Sequence, residues 1–267
     1  MRLSVSHGRA RKRFGQHFLH DPAVIARIVA AINLQPGDAA IEIGPGRGAL
    51  TQRLLEAAGR LEVIEIDRDL AALLRTRYAG EPQFVLHEAD ALEVDWRALA
   101  EARGARLRLI GNLPYNISTP LLFRVLQAAD VILDMHFMLQ REVVDRIVAA
   151  PGTKAYGRLT VMLAPRVAAA RLLDVGPGAF HPVPKVASSV VRLAVLDAPP
   201  EWGRAPLYAE VVTAAFGQRR KTLRNALSRY LTAAQIGALG IDPGLRAETL
   251  TPIQFGALAQ AAAAVLH

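Results

Sequence analysis

Asn112, Leu113, Pro114 and Tyr115 stand in a row, just after an apolar run over 107–110 that predicts a strand. Open α/β sheets bind ligands at the carboxyl ends of their strands. These residue types suit chemistry on the exocyclic amino group of an adenine. Such a nitrogen is a poor nucleophile, because its lone pair is delocalised into the ring. The side-chain oxygen of Asn112 and a neighbouring backbone carbonyl can accept both amino hydrogens, which frees the lone pair for attack. Tyr115 can hold the base plane by stacking. Catalysis of this kind rests on orientation and electrostatics, with no obligatory side-chain base. The structural alternative is a proline turn with a buried tyrosine.

A second group of residues suits a nucleoside ligand. Gly44, Gly46 and Gly48 lie within residues 42–51, between a short apolar run and a helical pattern. Glycines there let the backbone approach a ligand and take positive φ, and the following helix offers unpaired amides. Glu65 ends the next apolar run, where an acid can hold a ribose hydroxyl pair. The pattern also fits a dinucleotide or a purely structural turn. Glu42 argues for S-adenosylmethionine, because an acid beside the turn repels a pyrophosphate but suits a cationic amino group and sulfonium. Asp90, after the third run, is placed to receive a hydrogen bond from an adenine amino group. Each acid alone could be a surface carboxylate; three at successive strand ends make a pocket for adenosine plus a cation.

The elements that must position these residues follow a β-α-β-α rhythm. Strands are predicted at 39–43, 61–66, 83–87, 107–110 and 131–139. Helices are predicted at 50–58, 70–78, 119–127 and 141–149. Asp21 and Pro22 look like the cap and first residue of an earlier helix. Two later strands, 159–167 and 188–196, flank a Gly/Pro-rich loop at 176–184. That loop is an awkward place for a core aromatic, which marks Phe180 as a candidate site residue; the structural alternative is a loop anchor packed on the sheet. Pro199 and Pro200 mark a boundary. Beyond it the pattern is helical, with Val212, Phe216, Leu223, Leu227 and Tyr230 on one face and Lys221, Arg224 and Ser228 on the other. The expected fold is α/β: a Rossmann-like S-adenosylmethionine methyltransferase sheet over 1–200, wound on both faces, and a small all-helical C-terminal domain over 201–267.

The 267 residues carry a formal charge of +8, which favours a polyanionic partner, most commonly nucleic acid. Arg220, Lys221 and Arg224 are the expected RNA-binding residues, gripping phosphates near Arg219 and Arg229. Arg9, Arg11, Lys12 and Arg13 form a basic tail, either solvated or phosphate-contacting; as a mitochondrial transit segment it is short. Arg246 and Glu248 read as structural. Cysteine is absent, which excludes disulfides, zinc–thiolate sites and thiol catalysis and fits a cytoplasmic protein. His87 and His136 lack metal-ligand spacing, so no metal is expected. The uncharged stretch 249–267 contains Pro252, Gln254, Gly256 and Gln260, too polar for a membrane span; it reads as a terminal core helix. Nothing in the sequence suggests an obligate dimer, so a monomer is expected.

Taken together these segments resemble the ribosomal RNA adenine N6,N6-dimethyltransferases, most closely their bacterial KsgA (RsmA) branch. The likeness covers nearly the whole chain. Residues 15–19, with Gln16, His17 and Leu19, resemble the family's N-terminal cofactor motif, although position 17 is His where many members carry Asn. Residues 42–51 resemble its glycine motif, 64–67 its ribose-binding strand end, and Asp90 with Ala91 its adenine-contact step. Residues 112–119 resemble its catalytic loop, and 180–186 the loop that places a second aromatic, here Phe180, over the target base. Residues 216–225 resemble the signature that opens its C-terminal domain. The resemblance implies dimethylation of two adjacent adenines near the 3′ end of 16S rRNA, presented on the small ribosomal subunit or its precursor. Three rivals remain in view. A macrolide-resistance 23S rRNA methyltransferase conflicts with the C-terminal signature. A dinucleotide oxidoreductase leaves the Asn112 loop unexplained. A ribosome assembly factor, with methylation secondary, predicts that a catalytically dead variant still binds precursor subunits.

Overall fold

The computed structural model describes residues 17–114, 117–218 and 220–266. A two-residue strand, β1 (Phe18–Leu19), leads into α1 (Pro22–Ile32). Asp21 caps that helix, its Oδ1 accepting from the amides of Ala23 and Val24 at 2.9 and 3.1 Å, with proline at the first helical position as expected. The alternation follows: β2 (Ala39–Ile43), α2 (Thr51–Ala58), β3 (Leu61–Glu65), α3 (Arg68–Arg77), β4 (Phe84–Glu88), α4 (Trp96–Arg103), β5 (Leu107–Asn112), α5 (Ser118–Leu126) and β6 (Ile132–Gln140). Then come α6 (Arg141–Ile147), α7 (Arg158–Leu163), β7 (Val167–Val175), β8 (Phe180–His181) and β9 (Ser188–Val195). The last stretch is α8 (Tyr208–Gly217), α9 (Leu223–Ala226), α10 (Ala233–Ala238) and α11 (Pro252–Leu266).

Seven strands form one sheet in the order β4-β3-β2-β5-β6-β9-β7. The first five are parallel, and β9 runs antiparallel to β6. The chain steps outward from β2 to β3 and β4, then returns to β5 on the other side of β2. That reversal leaves a crevice at the carboxyl ends of β2 and β5, the switch point at which such sheets bind ligands. Residues of β2 and β3 are buried along their whole length, as a sheet covered on both faces requires. Ile25, Ile28 and Ile32 of α1, Leu54 and Leu55 of α2 and Leu74 of α3 share one core with Leu61 and Val63 of β3. A buried arginine ties α1 to the sheet. Arg108 of β5 meets both carboxylate oxygens of Asp134 on β6, at 3.0 and 3.1 Å. It also donates to the carbonyls of Ile32 and Asn33 where α1 ends.

Contacts divide the chain into two units. One runs to Arg141 and takes in Ala170–Ala194; the other comprises Glu142–Ala169 and the chain from Val195 onward. The second therefore includes residues 142–169, which a boundary at 200 assigns to the first. Packing explains the difference: Tyr156 and Val161 are buried in one core with Val212, Leu223, Leu227 and Phe255, and the Tyr156 hydroxyl donates to the Leu250 carbonyl at 2.7 Å. The described elements wholly within this unit are helical, and α11 buries Phe255, Leu258, Ala259 and Ala262. No helix among the described residues is long and apolar enough to cross a membrane.

Two predicted elements change. The strand expected at 159–167 is the helix α7, and the strand lies at Val167–Val175 instead. A short apolar run fits a buried helix as well as a buried strand; here Thr160 accepts from the Gly157 amide and bonds the Arg146 carbonyl, which sets the turn. The helical face running from Val212 to Tyr230 is split, because α8 ends at Gly217 and α9 begins at Leu223. The pattern also missed α4, which Asp95 caps by accepting from the amides of Arg97 and Ala98, each at 3.1 Å.

Candidate active site

A cleft of about 310 Å³ opens at the carboxyl ends of β2, β3, β4 and β5, with β1 along its rim. Its floor is the glycine turn after β2. Gly44, Gly46 and Gly48 have φ of +65°, +58° and +79°, left-handed values that side chains with a Cβ disfavour. A Cβ on Gly46 would also sit 3.2 Å from the Phe18 ring, so the turn and β1 approach closely. The Gly44 amide donates to the Ile64 carbonyl at 2.9 Å and the Gly48 amide to the Pro45 carbonyl at 2.8 Å. These bonds tie the turn to β3 and to itself. The Arg47 guanidinium lies 4.6 Å from the centre of the Phe18 ring.

Three carboxyl groups face this space. Glu42, 2 % exposed, accepts a 2.6 Å bond from the Thr51 hydroxyl. Burial pushes its carboxyl up to about 7; the Thr51 bond opposes that shift and the nearby Glu65 adds to it. Glu65 is also buried, and burial raises its pKa against the bonds it accepts from two amides. One oxygen takes the Gly46 amide at 3.1 Å and the other the Asp67 amide at 2.9 Å. Asp90, half-buried, uses Oδ1 to accept from the Leu92 amide at 2.9 Å. An ionised carboxylate has about four acceptor positions, so Glu65 and Asp90 keep capacity for further donors.

The reaction loop leaves β5 at Asn112. Gly111 lies beside β2, where a Cβ would come within 2.7 Å of the Ile43 carbonyl oxygen; only glycine permits so close a pairing. The Asn112 Nδ2 donates to the His17 carbonyl at 3.1 Å. Leu113 is buried and its amide donates to Met138 at 3.2 Å; the Pro114 carbonyl accepts from the Ile117 amide at 3.2 Å. Asn112, Leu113 and Pro114 all line the cleft.

A cleft of this size holds a nucleoside-sized molecule, and its acids at successive strand ends suit a cation with hydroxyl groups. The profile of the family described as ribosomal RNA adenine dimethylase matches residues 7–263. The chain belongs to the ribosomal RNA adenine dimethylase family. Among similar adenine dimethylase relatives is the ribosomal RNA small subunit methyltransferase A of Methylococcus capsulatus, 56 % identical over 90 % of this chain and 93 % of that protein. The Aromatoleum aromaticum protein of the same name is 55 % identical, over 95 % and 94 %. Of solved structures, the 23S rRNA methyltransferase ErmE has a TM-score of 0.72 at 28 % identity, covering 91 % of this chain and 98 % of ErmE. A dimethyladenosine transferase from Plasmodium falciparum has a TM-score of 0.68 at 26 % identity, covering 84 % and 78 %. Family membership makes the chain a methyltransferase with the expected Rossmann-like fold.

Within this adenine dimethylase cleft stand the expected His17, Leu19, Glu42, Gly44, Gly46, Glu65, Asp90, Ala91, Asn112, Leu113 and Pro114. Gln16, Tyr115, Arg219 and the basic tail lie outside the described residues. Phe180 does not line the cleft. It is 1 % exposed and packs in the core, because the Gly/Pro loop forms a two-residue strand that pairs Phe180 with Leu19. The expectation of a ring over the base is thus met by a ring anchoring β1. Phe18, Thr51 and Ile66 fall within the 15–19, 42–51 and 64–67 motifs but were not singled out as site residues. Ile66, 48 % exposed, directly follows Glu65 at a strand end, a signal that was legible. Arg220, Lys221 and Arg224 are exposed. Arg220 shares a notch of about 440 Å³ with Thr153, Lys154, Arg246 and Glu248, so Arg246 and Glu248, expected to be structural, adjoin the basic face. Among the described residues no cluster of His, Asp and Glu could hold a metal ion.

Proposed function

We propose that this chain uses S-adenosylmethionine to dimethylate N6 of two adjacent adenines near the 3′ end of 16S rRNA, acting as a cytoplasmic monomer on the small ribosomal subunit or its precursor. One observation carries the reading: Asn112 and its loop share a single cleft with Glu42, Glu65 and Asp90. The identity of 55–56 % to proteins named small subunit methyltransferase A, against 28 % to ErmE, favours the small subunit over 23S rRNA.

When bound, S-adenosylmethionine supplies an electrophilic methyl on a sulfonium. Glu42 faces the positive charge from the cleft floor, and Glu65 holds the ribose hydroxyls with its remaining acceptor positions. Asp90 takes the cofactor's adenine amino group, beside Ala91 and the exposed Ile66. His17 and Leu19 line the rim, and Gln16 is assigned to the cofactor by its place in the 15–19 motif alone. At the target base, Asn112 accepts one amino hydrogen through Oδ1. A neighbouring backbone carbonyl of the loop, Leu113 or Pro114, takes the second; the Pro114 oxygen already accepts one bond from Ile117. Tyr115 stacks on the base; Phe180, expected as a second aromatic there, is packed in the core in this structure and anchors β1. Removing hydrogen-bond acceptors fixed toward a reacting group typically costs about 100-fold or more in rate.

The test incubates the protein with labelled S-adenosylmethionine and small subunits lacking the modification, followed by digestion and mass identification of labelled nucleosides. The expected product is dimethyladenosine at two adjacent positions, with Asn112→Ala reduced at least about 100-fold. Label in large-subunit RNA would instead support the ErmE-like reading. Subunit binding without label would support an assembly factor.

A further inference from the structure

A carboxamide has a donor end and an acceptor end, and only the acceptor end can take a hydrogen from an adenine amino group. At Asn112 the choice is made by a neighbour. Nδ2 donates to the His17 carbonyl at 3.1 Å; the flipped amide would set two oxygens against each other with no hydrogen between them. The His17 carbonyl is held in turn. Residue 17 precedes β1, whose two residues pair antiparallel with β8, Phe18 with His181 and Leu19 with Phe180. A ladder this short is a weak hold. Beyond it the His17 ring supplies another tie, with Nδ1 2.7 Å from the Pro182 carbonyl oxygen. A carbonyl only accepts, so Nδ1 carries the hydrogen.

We propose that His17 is a positioning residue for methyl transfer: its ring, tied to Pro182, holds its own carbonyl where it orients the Asn112 carboxamide and leaves Oδ1 to accept from the target. The proposal rests on the reading of Asn112 as that acceptor. It assigns His17 a role in rate, separate from its place on the cofactor rim. The donor matters more than the imidazole. Nδ2 of an asparagine lies one bond beyond Cγ, as Nδ1 of histidine does, so His17→Asn can keep the Pro182 bond while His17→Ala cannot.

The experiment measures single-turnover methyl transfer to undermethylated small subunits at saturating S-adenosylmethionine, together with the cofactor Kd, for the full chain. His17→Ala should lose rate at saturating cofactor, by roughly 10- to 100-fold, up to the scale of a misplaced reacting group, over and above any change in cofactor Kd. His17→Asn should recover most of the rate. A parental rate for His17→Ala overturns the proposal. So does a loss that appears only as weaker cofactor binding, or a His17→Asn variant as slow as His17→Ala. Asn112→Ala is run alongside: if it stays active, the reading of Asn112 itself falls, whereas an inactive Asn112→Ala beside a fully active His17→Ala removes only the role of His17.

Discussion

Glu42 combines burial, a hydroxyl partner and a neighbouring acid, and its proton has a thermodynamic consequence. In the free protein the carboxyl stays neutral up to about pH 7, whereas an ordinary glutamate ionises near 4.5. As pH rises between those values the unfolded chain holds fewer protons than the folded one, so stability falls. The full difference is on the order of 3 kcal/mol. Glu42→Gln is expected to remove that loss: cofactor-free denaturation should find the variant equal to the parent at pH 4.5 and more stable at pH 8. Binding of S-adenosylmethionine should move the other way, weakening by about tenfold at pH 8 as the charge is lost. A variant with the parent's pH profile would refute a buried, late-ionising Glu42. His136 contributes to the opposite limb in both proteins, alongside the ion-paired carboxylates. Burial pushes its imidazole down to about 4, so stability also falls as pH drops from about 6.5 toward 4. The three acids were legible because strand ends recur at regular intervals in the chain. The Thr51 bond to Glu42 and the His17 carbonyl's hold on Asn112 were not, because a hydroxyl nine residues on and a backbone carbonyl carry no pattern of their own.

Strand β5 delivers Asn112 to the cleft, and its closeness to β2 makes that delivery rigid. Gly111→Ala would place a methyl 2.7 Å from the Ile43 carbonyl and 2.9 Å from Leu113. Overpacking of this kind costs about 1–3 kcal/mol, and relief requires β5 to move away from β2. A lowered denaturation midpoint is expected, with a fall in methyl-transfer rate larger than the unfolded fraction explains, because Asn112 moves with the strand. An unchanged midpoint would mean that the two strands have room to spare. Strands β2 and β3 were readable from sequence because they are buried along their whole length and run into a glycine turn or end in an acid. Residues 159–167 were not: Leu-Thr-Val-Met-Leu satisfies either period, and only the packing of Val161 beside Tyr156 and Val212 decides for helix. Phe180 stayed open between a site aromatic and a loop anchor for a related reason, since a loop rich in glycine and proline hid the two-residue strand that packs it.

At the scale of the molecule, a charge of +8 announced a polyanionic partner without saying where it binds. The structure exposes Arg220, Lys221 and Arg224 and sets Lys154 and Arg246 beside Arg220, a grouping across about 90 residues of sequence that no local pattern reveals. Replacing Arg220, Lys221 and Arg224 together by alanine should flatten the dependence of log subunit affinity on log salt by about 2–3, at roughly 0.7–0.9 per phosphate contact. Cofactor affinity should not change. Titrations in increasing potassium chloride read the slope, and an unaltered slope would take these three cations off the phosphates. The division of the chain bears on how such proteins can be dissected. Because the second unit reclaims Glu142–Ala169 before the chain returns for Ala170–Ala194, the polypeptide passes between units three times. A gene cut at codon 200 would strand Tyr156 without Leu250 and Val161 without Val212. The C-terminal fragment would lose part of its interior, so the two halves cannot be traded between homologues as cassettes cut at that point; an exchange has to move both stretches of the second unit, 142–169 and 195–267, at once.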